Sequence, residues 1–300
     1  MVKTYSDLYL DARRAFMTQE DPQTSSLFAR NLLSHVTGKS QEAVIAEREM
    51  YADESICKAM EHAVCRVMQG EPLAYVLGQW DFYGMTLHVD KHVLIPRDDT
   101  CAVTALAIKQ ALFLDSAPRI LDLCTGSGCI GLAIAGRVKD AKVTLADISR
   151  EAIAVARKNI MDQKLSGRVA CMQVDALQEP SSFLGKFDLI VSNPPYITTR
   201  EMIDLPASVK DFEPHLALHG GKDGLKFYRA IAANFRQALK PGGYLCFEFG
   251  MGQGNDVCAI LEENGYTILE RSRDYNDRER AVIARYDRKE ESYGYEKDSI

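Results

Sequence analysis

No stretch of this chain approaches the ~18 consecutive apolar residues that a membrane-spanning helix needs. Asp7 and Asp11 lie near the start and no long apolar segment follows, so a secretory leader is not expected. None of the eight cysteines, at positions 57, 65, 101, 124, 129, 171, 246 and 258, forms a C-x-x-C pair. Several stand in apolar runs, as Cys246 does within Tyr244–Phe249, and read as buried, reduced thiols. That usage fits a cytoplasmic compartment. Positive charge is in deficit: 36 Lys and Arg face 42 Asp and Glu, for a net charge of −6. The first 75 residues carry eight basic and eleven acidic side chains, so no basic arm is present to grip nucleic-acid phosphates. There is no internal repeat and no low-complexity tract.

What is present is ordinary soluble composition, 46% hydrophobic and 26% charged over 300 residues. That length predicts roughly two domains at ~150 residues each. Residues 1–72 read as a small helical domain. Asp21-Pro22 is a cap followed by a first-turn proline, and Gly38 stops the run that carries Leu27, Phe28, Leu32, Leu33 and Val36. Asp53 opens a second run with Ile56, Met60, Ala63, Val64 and Val67. Residues 73–95 read as a β-hairpin bridge, with Gln79–Tyr83 and Met85–Val89 flanking Gly84. From 96 to 287, strand and helix patterns alternate. Strands are predicted at Arg119–Leu123, Lys142–Ala146, Val169–Val174, Phe187–Ser192 and Gly243–Phe249. Helices are predicted at Cys129–Val138, Arg150–Gln163 and Gly224–Leu239, with another near Asp256–Asn264. This is the signature of a parallel sheet covered on both faces. Tyr266–Arg271 and Arg280–Arg285 are close enough in sequence to form an antiparallel hairpin at its edge. The polar tail 288–300 is expected to fray.

The chemistry concentrates at Asn193-Pro194-Pro195-Tyr196, directly after the apolar run Phe187–Ser192. Two prolines fix two φ angles and remove two backbone donors. The residue before each is pushed out of the helical region. The result is a stiff turn at a strand end, where open α/β sheets place ligands. It offers the Asn193 amide, the Pro194 carbonyl and the Tyr196 ring. That set suits a planar NH₂ group, with two acceptors for two N–H bonds and a ring to hold the plane; a rigid surface turn is the plain alternative.

A second strand end carries Asp122-Leu123-Cys124-Thr125-Gly126-Ser127-Gly128, a small-residue loop that lets a ligand approach the backbone. Asp147 ends the next strand, where a carboxylate can accept both hydroxyls of a ribose. Asp175, with Ala176 after it, ends the third strand, where adenine would lie. Gly126-x-Gly128-x-x-Gly131 also matches the dinucleotide fingerprint. Asp122 favours S-adenosylmethionine, because a carboxylate there repels a pyrophosphate and helps hold a methionine ammonium. His215-x-x-x-His219 has metal-ligand spacing but only Glu213 nearby as a third ligand, and no metal is expected.

Taken together, the chain closely resembles the HemK-type release-factor glutamine N5-methyltransferases over nearly all its length. The resemblance rests on Pro72-x-x-Tyr75, Phe82-Tyr-Gly84, Val93-Leu-Ile-Pro96-Arg97, Asp122–Gly128, Ala146-Asp147, Asn193–Tyr196 and Glu213-Pro214. It continues through Leu218-x-Gly220-Gly221-x-Asp223-Gly224-Leu225 and Pro241-Gly242-Gly243. Asp98 stands where the family has proline, Cys101 where it has glutamate, and Cys124 where the loop has its first glycine. No catalytic duty is therefore carried onto the 97–101 segment. The resemblance implies a Rossmann-like class I S-adenosylmethionine methyltransferase, α/β, with an antiparallel edge hairpin and an N-terminal helical domain that docks the partner. It implies methylation of the Gly-Gly-Gln glutamine in class I peptide chain release factors, with S-adenosylhomocysteine as product. Asn193, Pro194 and Tyr196 would be catalytic, and Pro195 would join them in binding the acceptor. Asp122, Cys124, Thr125, Gly126, Ser127, Gly128, Asp147, Asp175, Ala176 and Asn193 would line the cofactor. The Asn-Pro-Pro-Tyr turn alone is shared with enzymes that methylate amino groups of DNA and RNA. An adenine or guanine amino methyltransferase is accordingly the alternative, followed by a non-catalytic binding protein and a dinucleotide oxidoreductase.

Overall fold

The computed structural model describes residues 3–114 and 116–287; the polar tail 288–300 lies outside the described residues. The chain divides into two units. One comprises Met1–Trp80, His88–Lys91 and Leu205–Glu213, and the other Asp81–Leu87, His92–Asp204 and Pro214–Ile300.

Five helices open the chain: α1 (Tyr5–Phe16), α2 (Pro22–Thr37), α3 (Gln41–Ala46), α4 (Glu54–Met68) and α5 (Leu73–Leu77). Asp21 accepts hydrogen bonds from the Gln23 and Thr24 amides, and Gly38 ends α2 at φ 64°, a left-handed cap. Asp53 accepts from the Ile56 amide at the start of α4. Thr4 and Asp7 form a reciprocal capping box on α1. Leu8, Phe16, Leu32, Leu33 and Met60 close the core of this unit. Each buried side chain of that size contributes roughly 1.5–3 kcal/mol. A hairpin of β1 (Gln79–Phe82) and β2 (Met85–His88) follows. Its turn, Tyr83-Gly84, has φ of 51° and 80°, the two left-handed residues that a tight hairpin demands.

The second unit runs α6 (Thr100–Leu112), β3 (Arg119–Leu123), α7 (Cys129–Arg137), β4 (Lys142–Asp147), α8 (Arg150–Asp162), β5 (Val169–Gln173) and β6 (Phe187–Ser192). After the single-turn α9 (Ala207–Lys210), which belongs to the first unit, come α10 (Lys226–Asn234), β7 (Leu239–Glu248), α11 (Gly254–Glu263), β8 (Tyr266–Arg273) and β9 (Glu279–Tyr286). The strands form one seven-stranded sheet in the order β5-β4-β3-β6-β7-β9-β8. Neighbours from β5 to β7 are parallel, and β9 is antiparallel to both β7 and β8. The order reverses between β3 and β6, which defines the switch point. Side chains alternate between faces: Ile120, Leu189 and Val191 enter one core, while Leu121, Leu123 and Ile190 enter the other. No described helix is long and apolar enough to cross a membrane.

Three local patterns differ from expectation. Helix α6 has no amphipathic stripe to reveal it, because Ala102, Val103, Thr104, Leu106, Ala107, Ile108 and Ala111 are all buried. Helix α10 starts at Lys226 because Gly224 is held at φ 75°, and its last turn tightens into a 3₁₀ helix, Phe235–Ala238. Strand β7 begins at Leu239, and its register slips between the Phe187 and Leu189 pairings as Pro241-Gly242-Gly243 passes.

The glycine loop is joined to its helix by Asp122. Its Oδ2 accepts from the Thr125 hydroxyl at 2.6 Å and from the Gly131 amide at 2.8 Å. Gly128 offers α7 no capping side chain, so Asp122 satisfies one of the free first-turn amides instead. A Cβ on Gly131 would stand 2.3 Å from Leu145 Cδ2 and 3.0 Å from Asp122 Oδ2. Gly131→Ala is therefore expected to destabilise the protein by about 1–3 kcal/mol through overpacking, despite alanine's better helix propensity. Equilibrium urea unfolding checks it; a neutral or stabilising change would show that Leu145 can move aside.

Candidate active site

Strand register decides what meets at the carboxyl edge of the sheet. Leu123 pairs with Ser192, and Ser192 with Phe247. The residues that follow, Cys124, Asn193 and Glu248, leave three adjacent strands as neighbours. On the other side Leu123 pairs with Ala146, which brings Asp147 to the glycine loop. The Ser192 hydroxyl donates to the Leu123 carbonyl at 2.6 Å, and the Thr125 amide donates to the Ala146 carbonyl at 3.0 Å.

Within the turn, Pro194 and Pro195 are buried, while Asn193 and Tyr196 are half-buried. Two loops hold it, one through its backbone and one through the Gln253 side chain. The Ile197 amide donates to the Leu218 carbonyl at 2.9 Å, and the Gly220 amide to the Ile197 carbonyl at 2.8 Å. Gln253 Nε2 donates to the Tyr196 carbonyl at 3.1 Å, while its Oε1 accepts from the Gly250 amide at 2.9 Å. A Cβ on Gly220 would meet the Pro195 carbonyl at 2.7 Å, and one on Gly224 the Tyr196 carbonyl at 2.3 Å. The glycines of Leu218–Leu225 thus let one main chain lie directly on another.

Asn193 Nδ2 donates to the Thr100 hydroxyl at 3.2 Å. Thr100 and Asn193 both hydrogen-bond to the carboxyl group of Glu248, which is 1% exposed and whose Oε2 has no partner. Burial raises the Glu248 pKa to about 8, although the hydrogen bond from Thr100 opposes the shift. Tyr196 is held neutral, first by burial and then by the nearby Glu248. Behind them Arg280 pairs with Asp99 at 2.8 Å and Asp274 at 3.2 Å.

At the glycine loop, Asp147 Oδ2 accepts from the Gly126 amide and Oδ1 from the Ser149 amide, both at 2.9 Å. Each oxygen keeps a second lone pair, and the carboxylate is half-buried. Gly126 has open space where a Cβ would stand. The Asn159 amide pins the Ser127 carbonyl at 2.9 Å. Asp122 is fully buried; its Oδ1 and the Ser127 hydroxyl lack partners, and burial raises the Asp122 pKa to about 7. Asp175 Oδ1 accepts from the Leu177 amide at 2.9 Å, and Ala176 is buried beside it. The Cys124 thiol is pushed well above its ordinary pKa by burial. Two acidic groups with lone pairs to spare suit an ammonium and a ribose diol, and Asp147 opposes a pyrophosphate. S-adenosylmethionine therefore fits this donor set better than a dinucleotide.

Sequence reasoning did not single out Thr100, Glu248 or Gln253. Glu248 was visible as a lone carboxyl in the apolar run Tyr244–Phe249. Thr100 lies beside Cys101 in the segment to which no duty was assigned. His219 bonds the Thr199 hydroxyl, and the described residues contain no group of three metal-binding side chains.

Residues 102–208 match the family described as Methyltransferase small domain, and residues 7–78 match the PrmC N-terminal domain. A release factor glutamine methyltransferase of Clostridium acetobutylicum is 38% identical, over 95% of this chain and 96% of its own length. That of Chlorobaculum tepidum is 37% identical, over 89% of this chain and 92% of its own. Among solved structures, a methyltransferase from Pyrococcus furiosus superposes with a TM-score of 0.50 at 17% identity, over 76% of this chain and 100% of its own, a likeness of fold alone.

The raised Glu248 pKa has a signed consequence. The unfolded chain releases this proton near 4.5, whereas the folded one keeps it to about 8. Between those values the unfolded state binds fewer protons, so stability falls as pH rises. Glu248→Gln removes that slope. Its melting temperature should rise relative to the wild type by several °C between pH 5 and pH 8.5, at about 2–4 °C per kcal/mol. A pH-independent difference would show that Glu248 is not held protonated.

Proposed function

The chain belongs to the release factor glutamine methyltransferase family, and on that premise we propose how its own residues carry the reaction. It methylates a release-factor glutamine with S-adenosylmethionine as donor. We take the acceptor to be the Gly-Gly-Gln glutamine of class I peptide chain release factors, methylated at N5.

An amide nitrogen is a poor nucleophile because its lone pair is delocalised into the carbonyl. Asn193 Oδ1 and the Pro194 carbonyl accept its two N–H bonds. That aims the lone pair outward and favours the pyramidal nitrogen of the transition state. Tyr196, kept neutral, packs its ring on the amide plane. Asp147 would take the ribose hydroxyls, the Asp122–Gly128 loop would take the amino-acid end, and Asp175 with Ala176 would border the adenine. Methyl transfer would form the N–CH₃ bond as the sulfonium S–CH₃ bond breaks, with S-adenosylhomocysteine as leaving group and the surplus amide proton lost to water, so no metal or protein nucleophile is required.

The observation that carries this reading is the stiff Asn193–Tyr196 turn, held by the Leu218–Gly220 main chain and the Gln253 side chain next to the glycine loop. The helical region, matched by the PrmC N-terminal domain, we assign to docking the release factor. Its exposed Leu10 and Ile45 offer apolar contact there. A nucleic-acid amino group is less favoured, because the chain is acidic and a flipped base needs a cationic channel.

Labelled S-adenosylmethionine offered with release factor, tRNA and DNA in parallel, with mass mapping of the product, tests the assignment. Label appearing only in nucleic acid would overturn it. S-adenosylhomocysteine should raise the melting temperature, whereas NAD should not. Asp147→Ala should weaken cofactor binding by about 1.5–3 kcal/mol.

Asn193→Ala should lower the single-turnover rate on the order of 10²–10³ with little change in substrate affinity. Tyr196→Phe should be mild and Tyr196→Ala severe. A near-normal rate for Asn193→Ala would make the turn purely structural.

A further inference from the structure

A side-chain amide can present either end to its neighbours, and only one end of Asn193 serves as an acceptor. The residues around it decide which. Its Nδ2 donates to the Thr100 hydroxyl at 3.2 Å, and its side chain also hydrogen-bonds to Glu248. The Thr100 hydroxyl, having accepted, bonds to the same carboxyl group. Oε2 of Glu248 has no partner.

Glu248 ends β7 beside Asn193 at the end of β6, because Phe247 pairs with Ser192. Thr100 opens α6 and is 2% exposed. The backbone that carries the carboxyl group is fixed: the Tyr228 hydroxyl donates to the Glu248 backbone carbonyl at 2.9 Å, and the Phe249 amide donates to the Arg280 carbonyl at 2.9 Å. A buried carboxyl group in this position is costly. Three polar groups sharing bonds there would be replaced at no loss by apolar side chains if packing were all they supplied.

We propose that Glu248 and Thr100 are positioning residues that lock the Asn193 amide with its nitrogen inward, so that Oδ1 faces the substrate amide. This rests on the assignment of Asn193 as the acceptor for the glutamine N–H. Without the lock, the amide turns freely. In half its orientations it would present NH₂ to the substrate NH₂, donor against donor.

The test uses the full chain and intact release factor in single-turnover methylation, with S-adenosylhomocysteine binding and melting temperature measured alongside. Glu248→Met keeps the volume and removes the acceptor. Its methyl-transfer rate should fall 10- to 100-fold, on the scale of one misdirected electrostatic contact, while cofactor affinity, KM for release factor and melting temperature hold or improve. Glu248→Gln keeps an acceptor oxygen and should recover most of the rate. Thr100→Val should resemble Glu248→Met, Thr100→Ser the wild type, and the double variant should be no slower than the worse single one. A normal rate in Glu248→Met overturns the lock. A rate loss that tracks melting temperature, or that Glu248→Gln fails to recover, also overturns it, the first in favour of a structural role. Failure of the wild-type protein to methylate release factor would instead overturn the function on which the lock rests.

Discussion

The working parts depend on one constraint, the parallel register of β3, β6 and β7. It makes Leu123, Ser192 and Phe247 partners in a row. A slip of one residue would turn every side chain to the opposite face. Asp122 would then leave α7, and Glu248 would leave Asn193. The two buried cores, one on each face of the sheet, protect that register. Ile120, Leu189 and Val191 must stay on one side while Leu121 and Ile190 stay on the other. Hydrophobic burial is non-directional, yet through strand alternation it fixes where the polar groups emerge.

Two buried carboxyl groups bracket the site and do different work. Asp122 substitutes for a missing helix cap and draws Thr125 and Gly131 together. Glu248 turns inward to the Asn193–Thr100 pair. Both are held against ionisation by desolvation, and both keep one oxygen without a partner. Such groups are destabilising taken alone. Their placement at the ends of β3 and β7, on either side of β6, fits the rule that local costs gather at functional sites.

Much of this was legible in the residues. Helix starts followed Asp21 and Asp53 because a cap is a local interaction. Strands Arg119–Leu123 and Phe187–Ser192 were legible to the residue, since short buried strands bounded by turn residues leave little choice. Asn193, Asp122 and Asp147 drew attention because polar groups at the ends of apolar runs need a reason. Helix α6 was not legible, because uniform burial removes the period that marks a helix. Neither were Thr100 and Gln253, whose partners lie 93 and 57 residues away. Such pairings exist only after the sheet has assembled. Glu248 is a lone carboxyl in an apolar run, and only the β6–β7 register brings it beside Asn193.

The glycines at 220 and 224 touch the Asn193–Tyr196 turn through bare backbone. Main chain is the same in every protein, so this support carries no information about what is being methylated. The turn and its strap form a tool indifferent to its workpiece. An evolving lineage could keep them unaltered while exchanging the surfaces that present the acceptor. Choice of acceptor and competence to methylate are thereby written in separate parts of the chain and are free to diverge at separate rates.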